Sequence, residues 1–127
     1  ILERMATTRP SLHVDAVLGA SDLAGLAEVL DAVHVDPRIL RYIVDLVQAT
    51  RKPAAFGLDI APYVRFGASP RAGIFLVRAA RGNAFLEGRA YVTPADVKSV
   101  ALDVMRHRIG LTYEAEAEEK TAAWLIT

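Results

Sequence analysis

Apolar positions recur at helical spacing in four stretches of the chain, and each stretch opens on a start signal. Leu23, Leu26, Ala27, Leu30 and Val33 follow Ser21-Asp22 at intervals of three and four. The Ser21 hydroxyl is expected to cap that helix by accepting from a first-turn amide. Asp36-Pro37 opens the second stretch, with Asp as the cap and proline at the first helical position, where no N–H is needed. Ile39, Ile43, Leu46 and Val47 then line one face as far as about Thr50. Ser69-Pro70 repeats the device ahead of Ala72, Phe75, Leu76, Ala79, Asn83 and Leu86, and Gly88 is the expected stop. Thr93-Pro94-Ala95-Asp96 reads as a capping box with Asp in place of Glu, leading into Val97, Val100, Ala101 and Val104, with Gly110 as a stop. A last helix starts near Glu114, and residues 1–5 read as the tail of a helix begun upstream.

Strand signals are brief. Leu12-His13-Val14, Val33-His34-Val35 and Arg89-Ala90-Tyr91-Val92 alternate just long enough for extended connectors or a small pairing. Residues 51–68, with Pro53, Gly57, Pro62 and Gly67, form the longest stretch without periodicity, a length that often carries function in a compact domain. The pattern predicts an all-α fold over residues 1–127. Four main helices, with partial ones at both ends, pack as a bundle around one core.

Composition narrows the function. At 127 residues, 53% hydrophobic and 24% charged, the chain suits one globular domain rather than a disordered one. It has no cysteine, so no disulfide, thiol nucleophile or thiolate metal site. No apolar run reaches membrane-spanning length and no signal peptide is visible, which makes the cytoplasm the expected location. The opening Ile1-Leu2-Glu3-Arg4, without a Met, is expected of a piece cut from a longer protein. Net charge is zero, which opposes a general nucleic-acid binder. Its distribution is uneven: residues 51–108 hold ten Lys/Arg against four Asp/Glu, and the remainder five against eleven. A basic middle suits a local anionic partner.

Most catalytic signatures are absent. No G-x-x-x-x-G-K-[ST] loop cradles a phosphate and no H-E-x-x-H is present. His13, His34 and His107 are scattered, so no metal site is expected. Ser69 in Gly67-Ala68-Ser69-Pro70-Arg71 lacks the final glycine of a nucleophile elbow and reads as a helix cap. Asp96 and Asp103 read as surface carboxylates. The informative segment is Gly67 to Ala72, which sets Arg71 in the first turn of a capped helix. There the backbone amides, the positive dipole end and a guanidinium fork all suit an anion. Arg78 and Arg81 follow on that helix, and Arg81 reads as solvated.

Five motifs in order carry a resemblance: Thr50-Arg51; Leu58 in a proline-rich connector; Gly67-Ala68-Ser69-Pro70-Arg71-Ala72; Gly88-Arg89-Ala90-Tyr91-Val92-Thr93-Pro94-Ala95-Asp96-Val97; and His107-Arg108-Ile109. The succession, from Ile1 to about Leu111, resembles the C-terminal helical lid domain of MoxR-type AAA+ ATPases, with residues 1–12 as the junction from a nucleotide-binding core. The resemblance implies that Arg71 is the sensor-2 arginine reaching the γ-phosphate of ATP, with Ser69 and Pro70 forming the helix start that positions it. Thr50, Arg51, Arg78, His107 and Arg108 would take structural or interface roles. ATP and Mg2+ would be cofactors of the full-length ATPase, with none expected for this segment alone, which should not be an enzyme by itself. Partners implied are the protein's own AAA+ core, neighbouring subunits of a ring and a von Willebrand factor A-domain protein, in chaperone-like remodelling without nucleic acid or membrane insertion. The alternatives are a free-standing helical protein-interaction module and, behind it, a helix-turn-helix-like DNA binder using the basic middle.

Overall fold

The computed structural model describes residues 14–127. Four helices carry the architecture: α1 (Ala20–Ala32), α2 (Pro37–Arg51), α3 (Pro70–Leu86) and α4 (Pro94–Met105). Two 3-10 turns, Pro53–Phe56 and Ala61–Tyr63, fill the connector between α2 and α3. Two short helices, α5 (Tyr113–Ala117) and α6 (Ala122–Ile126), close the chain. The fold is the expected all-α one with four main helices, while the expected helical tail at residues 1–5, the 1–12 junction and Leu12-His13 lie outside the described residues.

Local chemistry explains where the helices begin. The Asp36 carboxylate accepts from the Arg38 amide at 2.8 Å and also holds the Arg38 side chain at 3.0 Å. Those bonds, the side-chain one first, lower its pKa to about 2. Thr93 and Asp96 form the expected capping box on α4, each reaching the other's backbone amide. Gly88 ends α3 at φ 69, a left-handed position that glycine reaches without strain. α1 starts differently from the sequence reading. Gly19, not Ser21, is its N-cap, and the Asp22 carboxylate accepts from the Gly19 amide at 2.7 Å. Asp22 thus does the capping from inside the first turn, where a carboxylate also meets the positive end of the dipole.

Burial follows the α2 pattern closely, with Ile39, Ile43 and Val47 in the core. On α3 the buried face is Ala72, Leu76, Ala80 and Ala84. Ala72 and Leu76 of the expected stripe are buried, but further along the helix the buried positions are Ala80 and Ala84 rather than Ala79 and Asn83, and Phe75 is 37% exposed and Leu86 82%. Ala72, Leu76, Ala80 and Ala84 follow one another at intervals of four, so three alanines flanking one leucine leave room for neighbouring backbones to approach the packed side. On α4, Val97 and Met105 are buried. α1 has no buried residue, and Leu23 and Val29 remain exposed, although Val33 just beyond it joins the core. Arg81, read as solvated, is half-buried and donates to Asp31 of α1 at 3.1 Å, because α1 packs across α3 there.

Two pairings missed or only glimpsed in the pattern tie the connectors down. β1 (Val64–Phe66) pairs antiparallel with β2 (Gly110–Leu111), so Gly110 is a strand residue, not a helix stop. The Phe66 ring lies where a Cβ of Gly110 would be, which explains the glycine. A single parallel bridge joins His34 to Tyr91, the small pairing the alternation allowed. The expected last helix is split in two, with Glu119 at φ 55 between the halves. Thr112 and Thr121 cap them. Trp124 meets Tyr63 edge-to-face at 5.7 Å, seating this end on the second 3-10 turn.

Candidate functional site

The Ser69-Pro70-Arg71 turn is anchored from behind by the end of α2. Thr50 is in the last turn of that helix, and its hydroxyl donates to the Val47 carbonyl at 2.7 Å. The same oxygen accepts from the Ala68 amide at 2.9 Å, and Ala68 is fully buried. Gly67 lies so close to this helix end that a Cβ on it would sit 2.3 Å from the Thr50 carbonyl oxygen and 2.6 Å from the Arg51 nitrogen. Two backbones are therefore pressed together, which only a glycine permits.

From that anchor the chain runs through Ser69, extended at φ −76 and ψ 162, into Pro70 at the first helical position. The Ser69 hydroxyl makes no capping hydrogen bond, so the expected side-chain cap is missing although Ser69 does occupy the N-cap position. Proline supplies the fixed φ that starts the helix without it. Arg71 follows in the first turn and is exposed. Among the described residues it makes no hydrogen bond and no ion pair.

Three further positions lie on the same side of α3, since residues three, four and seven apart share a helix face. Ile74 is 55% exposed, Phe75 is partly exposed, and Arg78 is exposed two turns beyond Arg71. Arg108, from the turn after α4, crosses to this face and sets its guanidinium over the Phe75 ring, 4.8 Å from the centroid. It also donates to the Val104 carbonyl and touches the His107 ring. The fold thus brings Arg71, Arg78 and Arg108 to one basic surface with Phe75 between them. Arg51 is exposed at the C-terminal end of α2, beside Gly67, and His107 is exposed beside Arg108. Phe75 as a platform was not foreseen, because a Phe at helical spacing reads as core. Its pairing partner comes 33 residues later in the chain and leaves no local signal.

A second polar cluster is buried. The Asp96 carboxylate, 1% exposed, accepts from both Arg89 terminal nitrogens at 2.7 and 2.5 Å and from Asn83 at 2.7 Å. The Thr93 amide and hydroxyl add bonds at 2.8 and 2.7 Å. Asp96 is thus no surface carboxylate: α3 and the Arg89 turn close over it. The Arg89 bonds, ahead of burial in the other direction, hold its pKa well below the usual carboxylate range. Every acceptor site is used inside the fold, which makes this a structural junction between α3 and α4 rather than a reactive pair. No group of three or more His, Asp or Glu among the described residues gathers as a metal-ligand set, and no helix among them is long and apolar enough to cross a membrane.

Comparison with known proteins bears on this surface. Residues 58–126 match the family described as AAA lid domain. The chain is 43% identical over 120 residues to a Mycobacterium tuberculosis protein named Chaperone MoxR1, covering 94% of this chain and 31% of that one. It is 46% identical over 110 residues to Protein MoxR of Paracoccus denitrificans, covering 80% of this chain and 32% of that one. Its fold superposes with a TM-score of 0.93 and 38% identity on the crystal structure of a Cytophaga hutchinsonii protein described as an ATPase candidate, over 98% of this chain and 38% of that one. The chain spans about a third of the length of the curated relatives it matches.

Proposed function

Because the chain belongs to the AAA lid domain family, in its MoxR-type branch, we propose that it covers a nucleotide site in a AAA+ ATPase and contributes Arg71 to the γ-phosphate as the sensor-2 residue. The observation that carries this reading is the state of Arg71: exposed, in the first turn of a proline-started helix, and without a carboxylate partner among the described residues. A guanidinium so placed fits a phosphate on chemical grounds. Its planar fork matches two phosphate oxygens, and the helix dipole adds positive potential at the same tip.

Bound ATP would supply the scissile γ-phosphate, with Mg2+ and the phosphate-cradling loop on the core domain. Arg71 donates to the terminal oxygens, holds the phosphate in place and stabilises charge that develops as the bond breaks. It neither attacks nor carries a proton. When that phosphate leaves, Arg71 loses its partner, and the lid is free to shift against the core. Arg78 and Arg108 extend the positive surface, and the Phe75 ring seats the Arg108 guanidinium beside α3. The wider setting we propose is a ring of subunits that couples hydrolysis to chaperone-like remodelling, with a von Willebrand factor A-domain protein as partner, in the cytoplasm. Hydrolysis belongs to the whole protein and not to this segment.

The test is Arg71→Ala in the full-length protein, with ATP turnover as the readout. A charge-assisted hydrogen bond is worth about 1.5–3 kcal/mol, so turnover should fall roughly 10- to 150-fold. Arg71→Lys should recover only part of that, since a point charge lacks the fork. Turnover equal to the unmodified protein in Arg71→Ala removes the sensor role.

A further inference from the structure

We propose that Thr50 is a positioning residue for Arg71, acting through its hydroxyl on the turn that opens α3. The inference rests on the sensor reading above and adds to it a residue one helix away. Three observations converge on it. The hydroxyl proton is committed to the Val47 carbonyl, which leaves the oxygen lone pairs directed out of α2. One of them takes the Ala68 amide, a buried donor with no other partner among the described residues. Beside it, Gly67 presses its backbone on the Thr50 carbonyl with no room for a side chain. Hydroxyl and glycine together fix where the chain arrives at Ser69.

The link from Ala68 to Arg71 is stiff. Ser69 is extended, Pro70 has a locked φ, and the Ala72 amide already bonds the Ser69 carbonyl at 2.8 Å. A shift at Ala68 therefore moves the start of α3 as a unit. Among the described residues the Arg71 side chain has no bond to restrain it, so its aim depends on the backbone it stands on. Thr50 touches no ligand in this scheme. It sets the geometry of a group that does, and small displacements of such groups are costly.

The experiment is a double-mutant cycle on ATP turnover in the full-length protein, using Thr50→Val, Thr50→Ser, Arg71→Ala and the Thr50→Val/Arg71→Ala pair, with thermal melts of each. Valine keeps the shape of threonine but leaves the Ala68 amide unpaired, and kcat should fall roughly 3- to 30-fold. Serine keeps the hydroxyl and should restore kcat to within about twofold of the unmodified protein. In the Arg71→Ala background, Thr50→Val should cost no more than about a further twofold, because the group it positions is gone. If Thr50→Val proves too unstable to assay, Thr50→Ala takes its place in the same cycle. The proposal is overturned if the Thr50 loss is equally large in both backgrounds, which marks general destabilisation, or if Thr50→Val turns over ATP normally. A drop with Arg71→Ala alongside either result sinks the Thr50 role alone, whereas no drop with Arg71→Ala sinks the sensor reading and this inference together.

Discussion

At Asp96 the sequence shows a capping residue, and the fold makes it the centre of a five-bond cluster. Its carboxylate is titrated by the surroundings in a direction that has consequences for stability. The bonds from Arg89, Asn83 and Thr93 favour the charged form, so the folded-state pKa lies below that of the unfolded chain, near 3.9. The stabilisation is fully present above that unfolded value and is lost as pH falls through the folded one. Asp96→Asn removes the charge while keeping the size, leaving the half-buried Arg89 facing a neutral group. At pH 7 the variant should be less stable by roughly 1–3 kcal/mol, the scale for leaving a hydrogen-bonding group without its partner. Urea unfolding from pH 7 down to 3 should show the gap between the two proteins narrowing below about pH 4. A gap that stays constant over that range means the carboxylate is not held in its charged form by the fold.

Elements here begin through short-range chemistry and pack through long-range contact, and glycines expose the difference. Gly82 lies within α3 and a Cβ there would meet nothing within 4 Å. Gly82→Ala should therefore stabilise by roughly 0.5–1 kcal/mol, since alanine loses less backbone freedom on forming the helix. Gly67→Ala should do the reverse. Its Cβ would meet Thr50 backbone at 2.3 Å, a wall that cannot rotate away, and the α2–α3 junction must open. Comparing urea midpoints of the two variants checks both signs, and a stabilised Gly67→Ala protein would show that the junction is not tight. The sequence pattern treats these glycines alike. So it does with the α3 stripe, where Phe75 and Leu86 satisfy the period but stand outward while Ala80 and Ala84 are fully buried.

At the scale of the whole molecule, Leu76 of α3 is 0% exposed and belongs to one buried core cluster with Ile43 of α2 and Val97 of α4. Leu76→Ala should cost about 3 kcal/mol from lost burial and the cavity left behind, read as a lower urea midpoint with an unchanged slope. A loss under about 1 kcal/mol would mean that the bundle collapses around the gap. The basic middle of the chain also takes its meaning at this scale. Among its arginines, Arg89 and Arg81 are half-buried against Asp96 and Asp31, while Arg71 and Arg78 form an exposed face. What the sequence determined unaided is where the helices α2, α3 and α4 begin and how α3 ends. Asp36-Pro37, Ser69-Pro70, Thr93-Pro94 and Gly88 act on φ and on amides within four residues, a range that composition and order fully specify. The motif order through Arg71 was legible for the same reason. Only the tertiary structure decided which face of α3 is buried, that Asp96 is closed over, that Arg108 lies on Phe75 and that Thr50 holds Ala68. Those partners are 7 to 33 residues apart in the chain, and nothing in local propensity or period encodes which distant group arrives.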